Sequence, residues 1–279
     1  MSSTGTISVT VTPVPDAPTA DDQTLTTDED QPVSGTLTGG DVDGDPITFA
    51  IDPADARVTA LDANTGDFTF TPDLNSNGTQ SFTFRTNDGA LDSALATVTV
   101  TVDPVQDAPV ADARTAGVNE DDSVVIALSG SDPDGDPLTF AIDSPPTNGA
   151  LGTVVSTGAT TATVEYTPTA NYTGPDSFTF TVDDGTVASA PATVSITVSN
   201  VNDPPTVDDV SDTTDEDVAV TLTLTGGDID GDPLTFSVVS GPGDGTLGAI
   251  TSTGPTTAQV TYTPDGNFNG SDSFTVKAN

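Results

Sequence analysis

This chain of 279 residues contains no cysteine, no histidine and no tryptophan. Each absence removes chemistry. Without thiolates or imidazoles there is no common zinc site, no thiol nucleophile and no Ser-His-Asp triad, so most hydrolytic and redox enzymes are excluded. Without disulfides, a secreted chain has to be held together by its hydrophobic cores or by bound ions. Positive charge is nearly missing too: four Lys or Arg stand against 43 Asp or Glu, for a formal charge of −39. Such a chain repels phosphate backbones and anionic lipid headgroups, so neither nucleic acid nor membrane insertion is expected. No stretch approaches the roughly 18 consecutive apolar residues of a spanning helix, and MSSTGTISV at the start has neither the basic nor the apolar region of an export signal.

What the chain has in abundance is aspartate. Acid alone would keep a surface protein soluble or suit it to high salt. The bias to Asp over Glu points further, because Asp fits turns and tight cation sites where Glu would serve equally well on a solvated face. Cations are therefore the natural partners.

The aspartates recur in order. DVDGDPITF at 41–49 returns as DPDGDPLTF at 132–140 and DIDGDPLTF at 228–236, and SFTF at 81 and 177 is matched by SFTV at 273. A period of roughly 95 residues is too long for helical or propeller solenoids, so each copy is expected to be a domain with its own core. The boundaries fall at residues 16–105, 106–201 and 202–279, after an N-terminal segment 1–15.

Alternation of apolar residues with Thr or Ser dominates each copy: TISVTVT at 6–12, ATVTVTV at 96–102 and ATVSITV at 192–198. Period two with β-branched residues reads as half-buried strand. Clusters of Gly, Asp, Asn and Pro separate such runs every 8 to 12 residues or so, and nothing shows a helical period. About seven short strands in roughly 95 residues fit an all-β fold of tandem immunoglobulin-like antiparallel β-sandwiches. The expected core aromatics are Phe49, Phe68, Phe70, Phe82 and Phe84, then Phe140, Tyr166, Phe178 and Phe180, then Phe236, Tyr262 and Phe274. The connectors VPDAP, VQDAP and VNDPP carry proline, which makes them short and stiff, so an extended array is expected.

Four acidic motifs keep one order in the repeats: DED at 28–30, EDD at 120–122 and DED at 215–217, then the DxDGD turn, then NDG or DDG, then the linker Asp. In this the chain resembles the cadherins, and more closely the cadherin-like repeats of large bacterial surface adhesins. The resemblance implies Ca²⁺ held at the junctions of consecutive repeats, an extracellular or cell-surface setting, and no catalysis. Carried over, it implies one site of Glu29, Gln106, Asp107, Asp132, Asp134 and Asp184, and a second of Glu120, Asn202, Asp203, Asp228 and Asp230. The chain departs from the cadherin pattern in a linker one residue shorter, in Gln106 where Asn is usual, and in lacking the DRE motif.

Physical chemistry favours the same ion independently. Ca²⁺ takes six to eight hard oxygens, and a divalent cation relieves carboxylates that would otherwise repel one another within about 4 to 6 Å. Two plainer readings stand beside it. Asp-Gly is an ordinary turn former. The turn also shares its opening with EF-hand loops, but Pro46, Pro137 and Pro233 stand where Gly is required and no Glu closes the loop. NGT at 77, NYT at 171 and NGS at 269 match glycosylation acceptors, and equally match plain turns.

The two ends of the chain are expected to be complementary. TISVTVT reads as the closing strand of a repeat that is not otherwise there, while the third repeat stops before its own closing strand. Head-to-tail donation of residues 6–12 into the third repeat of another chain would build a filament, with Glu216, Asp16, Asp41 and Asp43 forming a matching Ca²⁺ site. The alternatives are a piece of a longer adhesin array, or a module that binds glycan or protein.

Overall fold

A computed structural model describes residues 1–279. The chain is all strand, turn and coil, with no helix, so none is long and apolar enough to cross a membrane. The expected class holds: the strands pack as immunoglobulin-like sandwiches, repeated three times.

In the first repeat one sheet has four strands in the order Gln23–Asp28, Ala96–Asp103, Gly78–Asn87, Thr48–Ile51, and faces a three-stranded sheet of Val33–Thr36, Asp67–Phe70 and Val58–Thr59. The alternation explains the packing. Along Ala96–Asp103 the side chains of Ala96, Val98, Val100 and Val102 are buried, while the intervening threonines lie nearer the surface. They meet Phe49, Phe68, Phe70, Phe82 and Phe84, all five of which are buried as expected. Phe68 packs edge-on to Phe82 and Phe70 stacks on it, at centroid distances of 5.3 and 5.8 Å. Each buried Val or Phe contributes about 1.5–3 kcal/mol relative to exposure.

One pairing differs from the antiparallel expectation. Gln23–Asp28 runs parallel to Ala96–Asp103, and Arg114–Asn119 runs parallel to Ala192–Ser199 in the second repeat. In the first two repeats the second strand thus crosses to lie beside the last, where it covers the edge that the last strand would otherwise leave open. The remaining ladders among these sheets are antiparallel. The crossing brings the short strand Thr19–Ala20 onto Gly39–Gly40. A Cβ at Gly39 would lie 2.2 Å from the Thr19 carbonyl oxygen, so only glycine lets the two segments approach.

The second repeat repeats this plan with a four-stranded sheet of Arg114–Asn119, Ala192–Ser199, Gly174–Asp183 and Thr139–Ser144. Tyr166, Phe178 and Phe180 are fully buried, and Phe140 is half-buried against them. Tyr166 carries a hydroxyl into this core, where it donates to Asp176 Oδ2 at 2.8 Å. Burial alone would raise the Asp176 carboxyl, but that hydrogen bond and those from the Ser177, Thr147 and Asn148 amides hold it below the ordinary carboxylate range. Burial, reinforced by the Asp176 charge, pushes the Tyr166 hydroxyl up. A carboxyl with a depressed folded pKa stabilises above its unfolded value of about 3.9 and loses that contribution as pH falls through the folded value. Wild type should therefore lose more stability than Asp176→Asn on acidification below about pH 4. Tyr166→Phe should cost about 1.5–3 kcal/mol at neutral pH, the range for a hydrogen bond to a charged group. Equal acid sensitivity of the wild type and Asp176→Asn in thermal melts would remove the basis for this assignment.

The third repeat keeps the five-stranded sheet built on Val220–Gly227 and Thr257–Pro264, but its other sheet has only Phe236–Ser240 and Thr275–Ala278. Its expected core aromatics Phe236, Tyr262 and Phe274 are only half-buried, in contrast to Tyr166 and Phe178 at the same places in the second repeat. Residues 1–18 form no strand, and Ile7, Val9 and Val11 are 90, 81 and 85 % exposed.

By its contacts the chain divides into two compact units. One comprises Met1–Pro109 with Ser131–Pro137 and Asp183–Ala188, the other Val110–Gly130, Leu138–Val182 and Ser189–Asn279. The DxDGD loop and the DDG loop of the second repeat therefore belong with the linker and the first repeat, so the candidate ligands around Asp107 and those around Asp203 each lie within a single unit, while Glu216 and the set of Asp16, Asp41 and Asp43 are divided between the two.

Candidate metal centre

The DxDGD turn is a self-supporting scaffold. In the third repeat the first carboxylate, Asp228 Oδ1, accepts from the Asp230 amide at 2.9 Å and from the Asp232 amide at 3.2 Å, while the Gly231 amide bonds the Asp228 carbonyl. Asp41 holds Asp43 and Asp45 in the same way. The turn needs a left-handed residue, and the glycine supplies it at φ 85° in Gly44 and 81° in both Gly135 and Gly231. The second Asp of each turn is then free to accept from the linker. The Asp107 amide donates to Asp134 Oδ2 at 2.9 Å, the Asp203 amide to Asp230 Oδ2 at 2.6 Å, and the Asp16 amide to Asp43 Oδ2 at 2.9 Å.

The acidic triplets supply the other wall. Asp30, Asp121 and Asp217 adopt left-handed φ of 61, 62 and 65°, and each accepts from the amide of an Asn in its own repeat: Asn75, Asn171 and Asn267. In the first two repeats the glutamate before that turn is buried. Glu29 is 3 % and Glu120 2 % exposed. Glu29 Oε1 accepts from the Val105 amide at 2.6 Å, and Glu120 Oε1 from the Val201 amide at 2.7 Å, so these two linkers are each gripped by a buried carboxylate.

In the first centre, carboxylate oxygens of Glu29, Asp107 and Asp134 lie within 4.8 Å of one another. The Gln106 side-chain amide faces Asp134, Asp136 and Asp184 at 3.1, 3.3 and 3.2 Å. Asp132 Oδ1 accepts from the Asp136 amide, but Asp132 Oδ2 and Asp107 Oδ2 are buried with no donor. Burial and then the charges of Asp134, Asp30, Glu29 and Asp132 push the Asp107 carboxyl up. Asp184 goes the other way, held low first by the Val187 amide and also by the Thr186 amide and Gln106, against its burial.

The second centre has the same frame: Glu120, Asp203, Asp228 and Asp230 converge, Asp203 Oδ2 is buried without a donor, and burial together with Asp121, Asp230, Glu120 and Asp228 pushes the Asp203 carboxyl up. Asn202 departs from its counterpart Gln106 by donating to the Asp203 carbonyl at 3.1 Å. The third expected set is not brought together within the chain. Asp16, Asp41 and Asp43 form the turn-and-linker half, again with Asp41 Oδ2 buried and lacking a donor, while Glu216 is exposed and grips no linker amide.

Sequence reasoning passed over Asp30, Asp121 and Asp136. The first two press on the linker aspartates, and Asp136 joins the Gln106 cluster. Their signal was the repeat itself, since each belongs to a motif that occurs three times.

The converging ligand atoms are carboxylate oxygens, which suits a hard cation that tolerates six to eight oxygen ligands and does not suit metals that prefer nitrogen or sulfur. The orphaned, buried carboxylate oxygens fit the same group, because an anionic oxygen without a donor is costly to bury unless a cation compensates it.

The sequence model described as Bacterial Ig domain matches residues 15–101, 106–197 and 202–279. The chain belongs to the bacterial Ig domain family. Among curated proteins, this bacterial Ig chain is 34 % identical over 179 residues to integrin beta-like protein A of Dictyostelium discoideum, a match covering 57 % of the chain and 9 % of that protein. Integrin beta-like protein E of the same organism is 34 % identical over 169 residues, covering 52 and 9 %. The bacterial Ig repeats thus span about a tenth of the length of the curated relatives that they match. Among solved structures, the extracellular cadherin domains 3–6 of protocadherin gamma B2 align over 94 % of the chain and 68 % of theirs, with a TM-score of 0.54 at 15 % identity. Domains 1–5 of the same protein give 0.53 over 94 and 59 %. At that identity the likeness concerns the fold.

Proposed function

We propose that these bacterial Ig repeats form a calcium-rigidified structural rod of an extracellular, adhesin-like surface protein or fibre, with no catalytic role. One observation carries the reading: Asp107 and Asp203, the linker aspartates between consecutive repeats, each lie between a buried Glu of one repeat and the DxDGD turn of the next, with a carboxylate oxygen that no protein donor satisfies. A Ca²⁺ ion there ties both sides of the linker to one point. Metal-free, the same carboxylates repel, and the linker loosens. The names of the Dictyostelium relatives and the fold shared with extracellular cadherin domains support the surface setting. A glycan-binding role has little to stand on, since every Phe and Tyr is buried or half-buried and none offers a stacking platform. Head-to-tail assembly through residues 6–12 belongs to the same reading, on the ground that these residues carry the alternation of the closing strands Ala96–Asp103 and Ala192–Ser199.

Calorimetric titration tests the rod. Ca²⁺ should bind with Kd of about 10⁻⁴ to 10⁻³ M, typical of extracellular modules. Asp134→Ala should remove the binding at the first centre and leave that at the second. Absence of binding heat at millimolar Ca²⁺ would end the proposal.

A further inference from the structure

We infer that Gln106 is a built-in stand-in for the cation at the first centre. Metal-free, its side-chain amide latches the linker onto two loops of the second repeat, and it gives way to Ca²⁺ by turning round to present its carbonyl oxygen. The identity of the ion rests on the calcium reading above, whereas the latch rests on geometry that holds without any metal.

One amide group joins three segments of the chain. Gln106 Nε2 faces Asp134 Oδ2 at 3.1 Å, Asp136 Oδ2 at 3.3 Å and Asp184 Oδ2 at 3.2 Å, so the linker meets both the DxDGD turn and the DDG loop through a single side chain. Three carboxylates at this distance fix which end of the amide is nitrogen, since the carbonyl end would meet them with like partial charge. Each acid is seated by bonds of its own. Asp134 Oδ2 also accepts from the Asp107 amide at 2.9 Å. Asp184 Oδ1 is committed to the Thr186 and Val187 amides at 2.6 and 2.7 Å, which leaves Oδ2 to the linker. The Asp136 amide is tied to Asp132 Oδ1 at 3.1 Å. Side-chain length decides the reach. Asn202, the corresponding residue of the second linker, is one methylene shorter and donates instead to the neighbouring Asp203 carbonyl at 3.1 Å.

The amide orders these acids and does not neutralise them. A primary amide offers two N–H donors and no net charge, so three anionic oxygens share two protons and their mutual repulsion persists. Beside them Asp107 Oδ2 and Asp132 Oδ2 are buried with no donor at all, and Glu29, only 3 % exposed, places an oxygen within 4.8 Å of oxygens of Asp107 and Asp134. Gln106 shares Asp134 with that group. Beside a cation held there, the N–H end of the Gln106 amide dipole is repelled and the carbonyl end attracted. The side chain therefore turns about its terminal bond and exchanges Nε2 for Oε1, an oxygen of the kind that Ca²⁺ accepts from Asn and Gln. Gln106 thus holds the linker in place in both states, as a hydrogen-bond donor in one and as a ligand in the other.

Nuclear magnetic resonance of the full chain, in EDTA and then in Ca²⁺, reads both states. In EDTA the Gln106 side-chain NH₂ signals should stand apart from those of solvent-exposed amides. Gln106→Ala should speed hydrogen exchange of the Asp107 backbone amide about three- to tenfold, the change expected for one net hydrogen bond, and leave the Val201 amide as it was. Gln106→Asn should act in the same way, and Gln106→Glu should loosen the Asp107 amide in EDTA while raising the Ca²⁺ affinity of the first centre about tenfold through one more carboxylate. On filling the first centre, the wild-type NH₂ signals should move to the solvent-exposed position. Signals already at that position in EDTA, or an Asp107 exchange rate unmoved by Gln106→Ala, overturn the latch whatever Ca²⁺ does. Signals that stay bonded once the first centre has filled overturn the turning of the amide. Absence of calcium heat ends the calcium reading and with it the turning, and the exchange rates in EDTA still decide the latch.

Discussion

Calcium at about 10 mM, about 100 times a Kd at the tight end of the expected range, about 10⁻⁴ M, should raise the melting temperature of the chain by about 10 to 20 °C over the EDTA-treated protein. A ligand present at about 100 times its Kd stabilises by about 2.7 kcal/mol per site, and for a domain of this size each kcal/mol shifts the midpoint by about 4–8 °C. The sign reverses for the ligands themselves. Asp107 has its carboxyl pushed up by burial and by four neighbouring acids, so its charged form destabilises the metal-free fold above the carboxylate range, and that penalty disappears as pH falls below its unfolded value. Asp107→Asn should accordingly raise the melting temperature in EDTA and shrink the gain from Ca²⁺. A surface acid with no metal to hold would show neither change. Unchanged melting of the wild type on adding Ca²⁺ would remove the physical basis for a stiffened rod.

Phe178→Ala and Phe274→Ala should differ sharply although they remove the same side chain from the same motif. Phe178 is fully buried beneath Ala192–Ser199, and deleting it leaves a cavity in a close-packed core at a cost of about 3–5 kcal/mol. Phe274 is half-buried on the rim of an open groove, so its neighbours can relax into the space and less apolar surface is lost from cover. The cost at Phe274 should be about half that at Phe178 or less. Thermal melts of both variants measure this. Equal losses for the two in the free chain would show that the third repeat is closed in solution.

The comparison of these two phenylalanines shows where local pattern stops being informative. SFTF and SFTV have the same alternation, and alternation reports which face of a strand is meant for the core. It does not report whether a neighbouring strand arrives to cover that face. The same limit applies to direction: Gln23–Asp28 and Arg114–Asn119 have the half-buried period of any edge strand, and nothing in it distinguishes the parallel pairing that they adopt from an antiparallel one. That choice is made where the chain crosses between sheets, just after Thr19–Ala20 has paired with Gly39–Gly40 in the first repeat and Val110–Ala111 with Val124–Ser131 in the second.

The candidate centres divide in the same manner. That acids recur three times in one order, with a left-handed glycine in each turn and a proline-stiffened linker beside it, was determined by the amino-acid sequence alone, because turn chemistry and period-two burial are local. So were the all-β class, the threefold repetition and most of the core aromatics. Tertiary structure alone decided that Glu29 and Glu120 are buried and grip linker amides, that Asp30, Asp121 and Asp136 press on the same points, that Gln106 faces three carboxylates while Asn202 turns to a backbone carbonyl, and that Glu216 stays exposed. The physical reason is that convergence depends on segments some 30 to 80 residues apart in the chain, which meet only when the closing strand of one repeat delivers the linker to the turn of the next.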